Sequence, residues 1–173
     1  MIIPAYLFLC FFSAMLAELF LSTCGVIIPV TALTLYYFTV TRGLFIGVFL
    51  GFFIGVAMDA SFYRTVTFSP FIYITTAYIA HYWAKKGQPS SLLLQMFPGA
   101  LIAAVSTIPF IVNNNIEFGL SLNSFFSSIT HLLITLVLTC ILLPVVIYVL
   151  DIISELIDQP VYREIVRKGF RGR

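Results

Sequence analysis

The sequence predicts an all-α, polytopic membrane protein: a bundle of six transmembrane helices with both termini in the cytoplasm. Composition is the first reason, since 61% of the 173 residues are hydrophobic and only 9% are charged, against roughly a quarter charged in an ordinary soluble domain. Segmentation is the second. The apolar residues fall into six runs close to the ~20 residues needed to cross a hydrocarbon layer about 30 Å thick, and they leave no room for an extramembrane domain. Charge placement is the third: with the N-terminus inside, eight of the nine Lys and Arg residues fall on the cytoplasmic side, where short loops retain cations.

The runs cover about residues 2–21, 25–41, 43–60, 69–84, 92–112 and 122–150. Ser22 to Cys24 make a minimal first turn, and Arg42 marks the second. After a polar stretch from Ala60 to Thr67, Ser69-Pro70 reads as an N-cap followed by proline at the first helical position. Lys85-Lys86-Gly87-Gln88-Pro89 is a loop of cations and helix breakers, flanked by the interfacial aromatics Tyr82 and Trp83. Asn113 to Gly119 form a polar connection. Residues 151–173 read as an amphipathic, basic cytoplasmic tail with Arg163, Arg167, Lys168, Arg171 and Arg173. Arg64 is the lone cation on the outer side.

Cys10, Cys24 and Cys140 lie in or beside apolar runs without CxxC or ligand spacing, so neither a disulfide framework nor a metal site is expected. Leu21-Ser22-Thr23-Cys24 resembles a lipoprotein cleavage box, but no basic region precedes it and an apolar run follows at once, so the first span is read as retained. No basic patch is present for nucleic acid. No HExxH, GxSxG or phosphate-cradling glycine loop occurs either. Neither an enzyme nor a cofactor is expected.

Gly43, Gly47, Gly51 and Gly55 stand four residues apart, followed by Asp59, so the third span carries overlapping GxxxG motifs. Such a stripe lets helices approach closely, whether the neighbour is another span of this chain or a helix of a partner protein. Glu18 and Asp59 are acidic residues inside apolar runs, where a charge costs about 2.5–3.5 kcal/mol at the centre and less toward the ends. Both fall near the outer ends of their helices, and with Arg64 they are candidates for a polar cluster; the alternative is that each reaches the interface separately. On the sixth span Ser124, Ser128, His131, Thr135 and Thr139 share one face. This polar seam is read as a close helix contact rather than a proton or substrate pathway. Gly99, Ala103 and Thr107 repeat the small-residue spacing on the fifth.

The segment Pro29 to Trp83 resembles MreD, the rod shape-determining membrane protein family of bacteria. The matching features are Pro29 opening a short second span, Tyr36-Tyr37 near its end, Arg42-Gly43, the Gly47, Gly51, Gly55, Asp59 ladder, and Ser69-Pro70 starting an aromatic span with Tyr78. Length, six-span layout and basic tail agree, and the match covers about a third of the chain. The resemblance implies a non-enzymatic inner-membrane component of the cell-elongation (peptidoglycan synthesis) machinery. Its partners would be an MreC-like bitopic protein, a RodA-like glycan polymerase, a class B penicillin-binding transpeptidase, the MreB cytoskeleton indirectly, and membrane lipid. A reading from another class is the substrate-binding subunit of an energy-coupling-factor vitamin transporter, which would need an outward polar pocket built from Glu18, Asp59 and Arg64.

Overall fold

The fold is a helical bundle built around one short, enclosed helix. The computed structural model describes residues 2–23, 28–62, 68–85, 92–108, 111–112 and 122–171, and no strand occurs among them. The helices are α1 (Ile2–Thr23), α2 (Val30–Arg42), α3 (Leu44–Ser61), α4 (Ser69–Lys85), α5 (Leu92–Ser106), α6 (Leu122–Leu156) and α7 (Tyr162–Arg171). Three of them contain stretches long and apolar enough to cross a membrane: Ile3–Thr23, Leu44–Ser61 and Phe125–Leu156. Cys24, Arg64 and the Asn113–Gly119 connection lie outside the described residues.

Proline and glycine set several of the helix boundaries. Pro29 sits immediately before α2 and its carbonyl accepts from Leu33 N, a position where the missing proline N–H costs nothing. Gly43 has φ +95°, a backbone region that side chains with a β-carbon rarely adopt. It closes α2 through Gly43 N donating to Thr39 O and lets α3 start at the next residue. Asp158, at φ 53°, ends α6 in the same left-handed manner, and Pro160 prevents the helix from resuming.

The second run begins as helix at Val30 rather than near residue 25, and α2 is therefore only 13 residues long, about 20 Å. That is shorter than the hydrocarbon layer. Every residue from Thr31 to Thr41 is nevertheless buried, because α2 contacts α1, α3, α4, α5, α6 and α7. A helix sheathed in protein does not have to match lipid thickness. Its Thr34, Thr39 and Thr41 hydroxyls donate to carbonyls one turn back, so these polar side chains enter the core already satisfied. Leu33, Leu35, Tyr36, Tyr37 and Phe38 form the middle of that core.

Two further boundaries differ from the expected ones, and both changes place the chain end in the bundle. The sixth helix runs past Leu150 to Leu156, with Asp151 wholly buried. The segment after it is not a free tail: α7 folds back so that Tyr162 is buried against α2.

Gly47, Gly51 and Gly55 are buried on the face of α3 that meets α2 and α4. A β-carbon on Gly47 would collide with the Thr39 side chain, and one on Gly55 would come within 2.5 Å of Pro70 Cα and N. At Gly51 the nearest atoms are Leu35 Cδ2 and the Tyr73 carbonyl carbon, both at 3.2 Å. Gly43 stands apart from this stripe; it is exposed, nothing lies within 4 Å of its missing side chain, and its role is the turn. The opposite face of α3 exposes Phe45, Phe49, Phe52 and Phe53.

These distances separate two substitutions of equal size. In Gly55→Ala the obstacle is proline backbone, which cannot rotate away, so a loss of about 1–3 kcal/mol from overpacking is expected. In Gly51→Ala a shift of a few tenths of an ångström suffices, and the gain of roughly 1 kcal/mol in helix propensity opposes it. Thermal unfolding in detergent should therefore show a clear drop for Gly55→Ala and little change for Gly51→Ala. Equal melting temperatures would contradict the packing described.

Candidate functional site

A helix starting inside an apolar bundle exposes N–H groups that water cannot reach. In this chain three such starts are met by a carboxylate from the preceding helix. Glu18 Oε2 of α1 accepts from Thr31 N of α2 at 2.9 Å. Asp59 of α3, 2% exposed, takes two bonds from the first residue of α4: Ser69 N donates to Oδ2 at 3.1 Å and Ser69 Oγ to Oδ1 at 2.6 Å. Asp151 of α6 accepts Tyr162 N, the first residue of α7, at 2.8 Å on Oδ1. The partial positive charge at a helix start makes each site favourable for an anion, by about 0.3–1 kcal/mol and up to ~2 where partly buried.

Glu18 and Asp59 thus take backbone and hydroxyl donors as partners; Arg64, the cation expected beside them, lies outside the described residues. Both carboxylates sit at the end of the bundle where α1 and α3 finish and α2 and α4 begin. Asp151 sits at the other end, where α2 and α6 finish.

Sequence reading missed Asp151, and it anchors the largest polar network described. Besides Tyr162 N, its Oδ1 accepts from the Tyr37 hydroxyl at 2.9 Å, while its Oδ2 accepts Arg163 Nε at 2.9 Å. The Tyr37 hydroxyl also bonds Ser154 Oγ at 2.9 Å, which in turn bonds the Tyr6 hydroxyl at 2.8 Å. The Tyr36 and Tyr162 hydroxyls are 3.2 Å apart. Helices α1, α2, α6 and α7 are tied together by these bonds. The Arg163 side chain remains 60% exposed and lies 5.8 Å from the Tyr148 ring centre. Its hydrogen bond to Asp151 holds its pKa above the ordinary arginine value. A signal for the site was present: Asp151 precedes Pro160 and a helix start much as Asp59 precedes Ser69-Pro70 and Glu18 precedes Pro29.

The polar seam of α6 lies along α5. Ser128, Thr135 and Thr139 are buried and His131 half-buried, whereas the Ser124 side chain is outside the description. Across from them, a β-carbon on Gly99 would stand 3.1 Å from Thr139 O and 3.2 Å from Cys140 Cα. Ala103 and Thr107 are buried on the same helix. Thr139 Oγ1 has no hydrogen-bond partner, so its small size, rather than a bond, is what it contributes at the contact.

Among the described residues, no three His, Cys, Asp or Glu side chains are grouped so as to hold a metal ion. Two recesses open at the Asp151 end. One is a polar bowl of about 350 Å³ lined by Glu155, Asp158, Gln159, Val161, Arg163 and Glu164. The other is an apolar groove between α1 and α6.

Asp151 and Arg163 should differ sharply on substitution. Asp151→Ala leaves the Tyr162 N–H and the Tyr37 hydroxyl without their buried anion, and hydrogen bonds to charged groups are each worth about 1.5–3 kcal/mol. Arg163→Gln removes the solvent-screened partner and should cost less than about 1 kcal/mol. Melting temperature in detergent, together with protease sensitivity near residue 160, checks this order. Comparable losses would assign the anchoring to the ion pair instead.

No protein-family model, curated protein or solved structure matches this chain, and its function is therefore read from its own residues.

Proposed function

We propose that the protein is a six-span, non-enzymatic scaffold of the bacterial inner membrane, of the MreD type, serving the cell-elongation complex. The observation that carries this reading is how the intramembrane polar groups are used. Glu18, Asp59 and Asp151 each hold the start of a neighbouring helix, and three glycines of α3 are filled by α2 and α4. These are investments in a rigid bundle. A vitamin-binding subunit would instead turn such groups toward a polar pocket.

The segment that resembles MreD, Pro29 to Trp83, includes α2, which is buried from Thr31 to Thr41. Its Tyr36-Tyr37 pair, glycine ladder and Asp59 all make the interhelical contacts described above. The glycine stripe is occupied within the chain, so the membrane span of an MreC-like partner meets an outer apolar face. Through that partner the scaffold reaches a RodA-like polymerase, a class B transpeptidase and, indirectly, MreB filaments.

The orientation follows from the cations. Arg42, Lys85 and the α7 residues Arg163, Arg167, Lys168 and Arg171 belong to one end of the bundle, which becomes the cytoplasmic side with both termini. The opposite end holds Glu18 and Asp59.

Two measurements test the proposal. Impermeant thiol labelling of single-cysteine variants should reach positions beside Arg64 and Glu117 from outside but not those beside Lys86; strong outside labelling near Lys86 reverses the orientation. Affinity purification from native membranes should recover an MreC-like bitopic protein. Tight binding of a vitamin, with recovery of an ATPase-linked membrane subunit, would replace the scaffold with the transporter.

A further inference from the structure

The groove between α1 and α6 is lined by Ala5, Tyr6, Leu9, Cys10, Ser13, Ile153 and Ile157 and measures about 460 Å³. It is almost wholly apolar and open along its length. Small side chains at Ala5, Cys10 and Ser13 form the recess, flanked by Leu9 and Ile153. From Ala5 to Ser13 it follows α1 for about 12 Å.

Near the Ile157 wall of the groove lies a cation with a neutral partner. Arg42 closes α2, is half-buried, and its Nη2 donates to the neutral Gln159 Oε1. No carboxylate pairs with it among the described residues, whereas Arg163 is matched by Asp151. Gln159 Nε2 in turn donates to the carbonyl of Ile157 at 3.4 Å, and Ile157 is a wall of the groove. Gln159 also lines the polar bowl with the acidic Glu155, Asp158 and Glu164, and no acidic residue is among the described lining of the groove.

We propose that this groove binds one anionic phospholipid, with an acyl chain along α1 and the phosphate at Arg42. A guanidinium with most of its five donors unused matches a phosphate by charge and by geometry. An apolar recess with a cation beside it matches an acyl chain joined to a phosphate, whereas an apolar partner helix would leave the cation unmatched.

The test is native mass spectrometry of the full chain purified in detergent with equal amounts of dioleoylphosphatidylglycerol and dioleoylphosphatidylcholine. The wild type should retain the anionic lipid about tenfold over the zwitterionic one, as expected for one charge-assisted contact. Arg42→Lys should keep the preference and Arg42→Gln should bring the two lipids near parity. Cys10→Trp, which fills the recess, should lower retention of both. Parity in the wild type overturns the proposal, as does an unchanged preference in Arg42→Gln. If Cys10→Trp keeps its lipid but sheds a co-purifying membrane protein, the groove belongs to a protein helix and the lipid site is lost.

Discussion

Everything in this bundle depends on satisfying helix starts where no water is present. An N-terminal turn in an apolar layer leaves backbone donors stranded, each costing several kcal/mol unless an acceptor is supplied. Serine or threonine usually supplies it from within the same helix. Here the acceptor comes from the helix before: Glu18 for α2, Asp59 for α4 and Asp151 for α7. One interaction therefore does two things, closing the start of one helix and fixing its angle to another. Charge and donor also solve each other's problem, since a buried carboxylate needs donors as much as the donors need it.

This constraint explains how so short a helix comes to stand at the centre. Helix α2 is held from outside itself at both ends, by Glu18 at Thr31 and by the Asp151 and Ser154 network at Tyr37. Between those points it needs only to present a packable surface, and Thr34, Thr39 and Thr41 bond to their own backbone. The glycines of α3 then let α2 and α4 close in. The long apolar faces of α1, α3 and α6 remain on the outside, as expected where the surroundings are acyl chains or partner helices rather than water.

Much of this was readable in the amino-acid order. The apolar runs mark the helices because a hydrocarbon layer permits little else, and Glu18 and Asp59 stand out because burying a charge is expensive. What could not be read was what they touch. Pairing logic offers Arg64, which lies outside the described residues; the acceptors also take Thr31 and Ser69 backbone N–H groups, which every non-proline residue has and no motif marks. Asp151 was hidden for a related reason. It falls where an apolar run gives way to Glu155, Asp158 and Arg163, so it reads as the first residue of a solvated tail. Only the return of α7 onto α2 makes it interior.

The same reasoning says which parts of the surface are available for function. Polar groups committed to helix starts point into the bundle rather than toward a pocket, and a glycine stripe filled by two helices of its own chain has no room for a third. What remains unspent is the outer apolar surface and, at one end of it, Arg42. Arg163 lies at the same end and is neutralised by Asp151, yet Arg42 has a neutral glutamine. Each of the three carboxylates at the helix starts is met by backbone donors, and Asp151 by Arg163 as well, whereas half-buried Arg42 has no carboxylate among the described residues. An anion from outside the chain would complement it, and the proposed phospholipid supplies one.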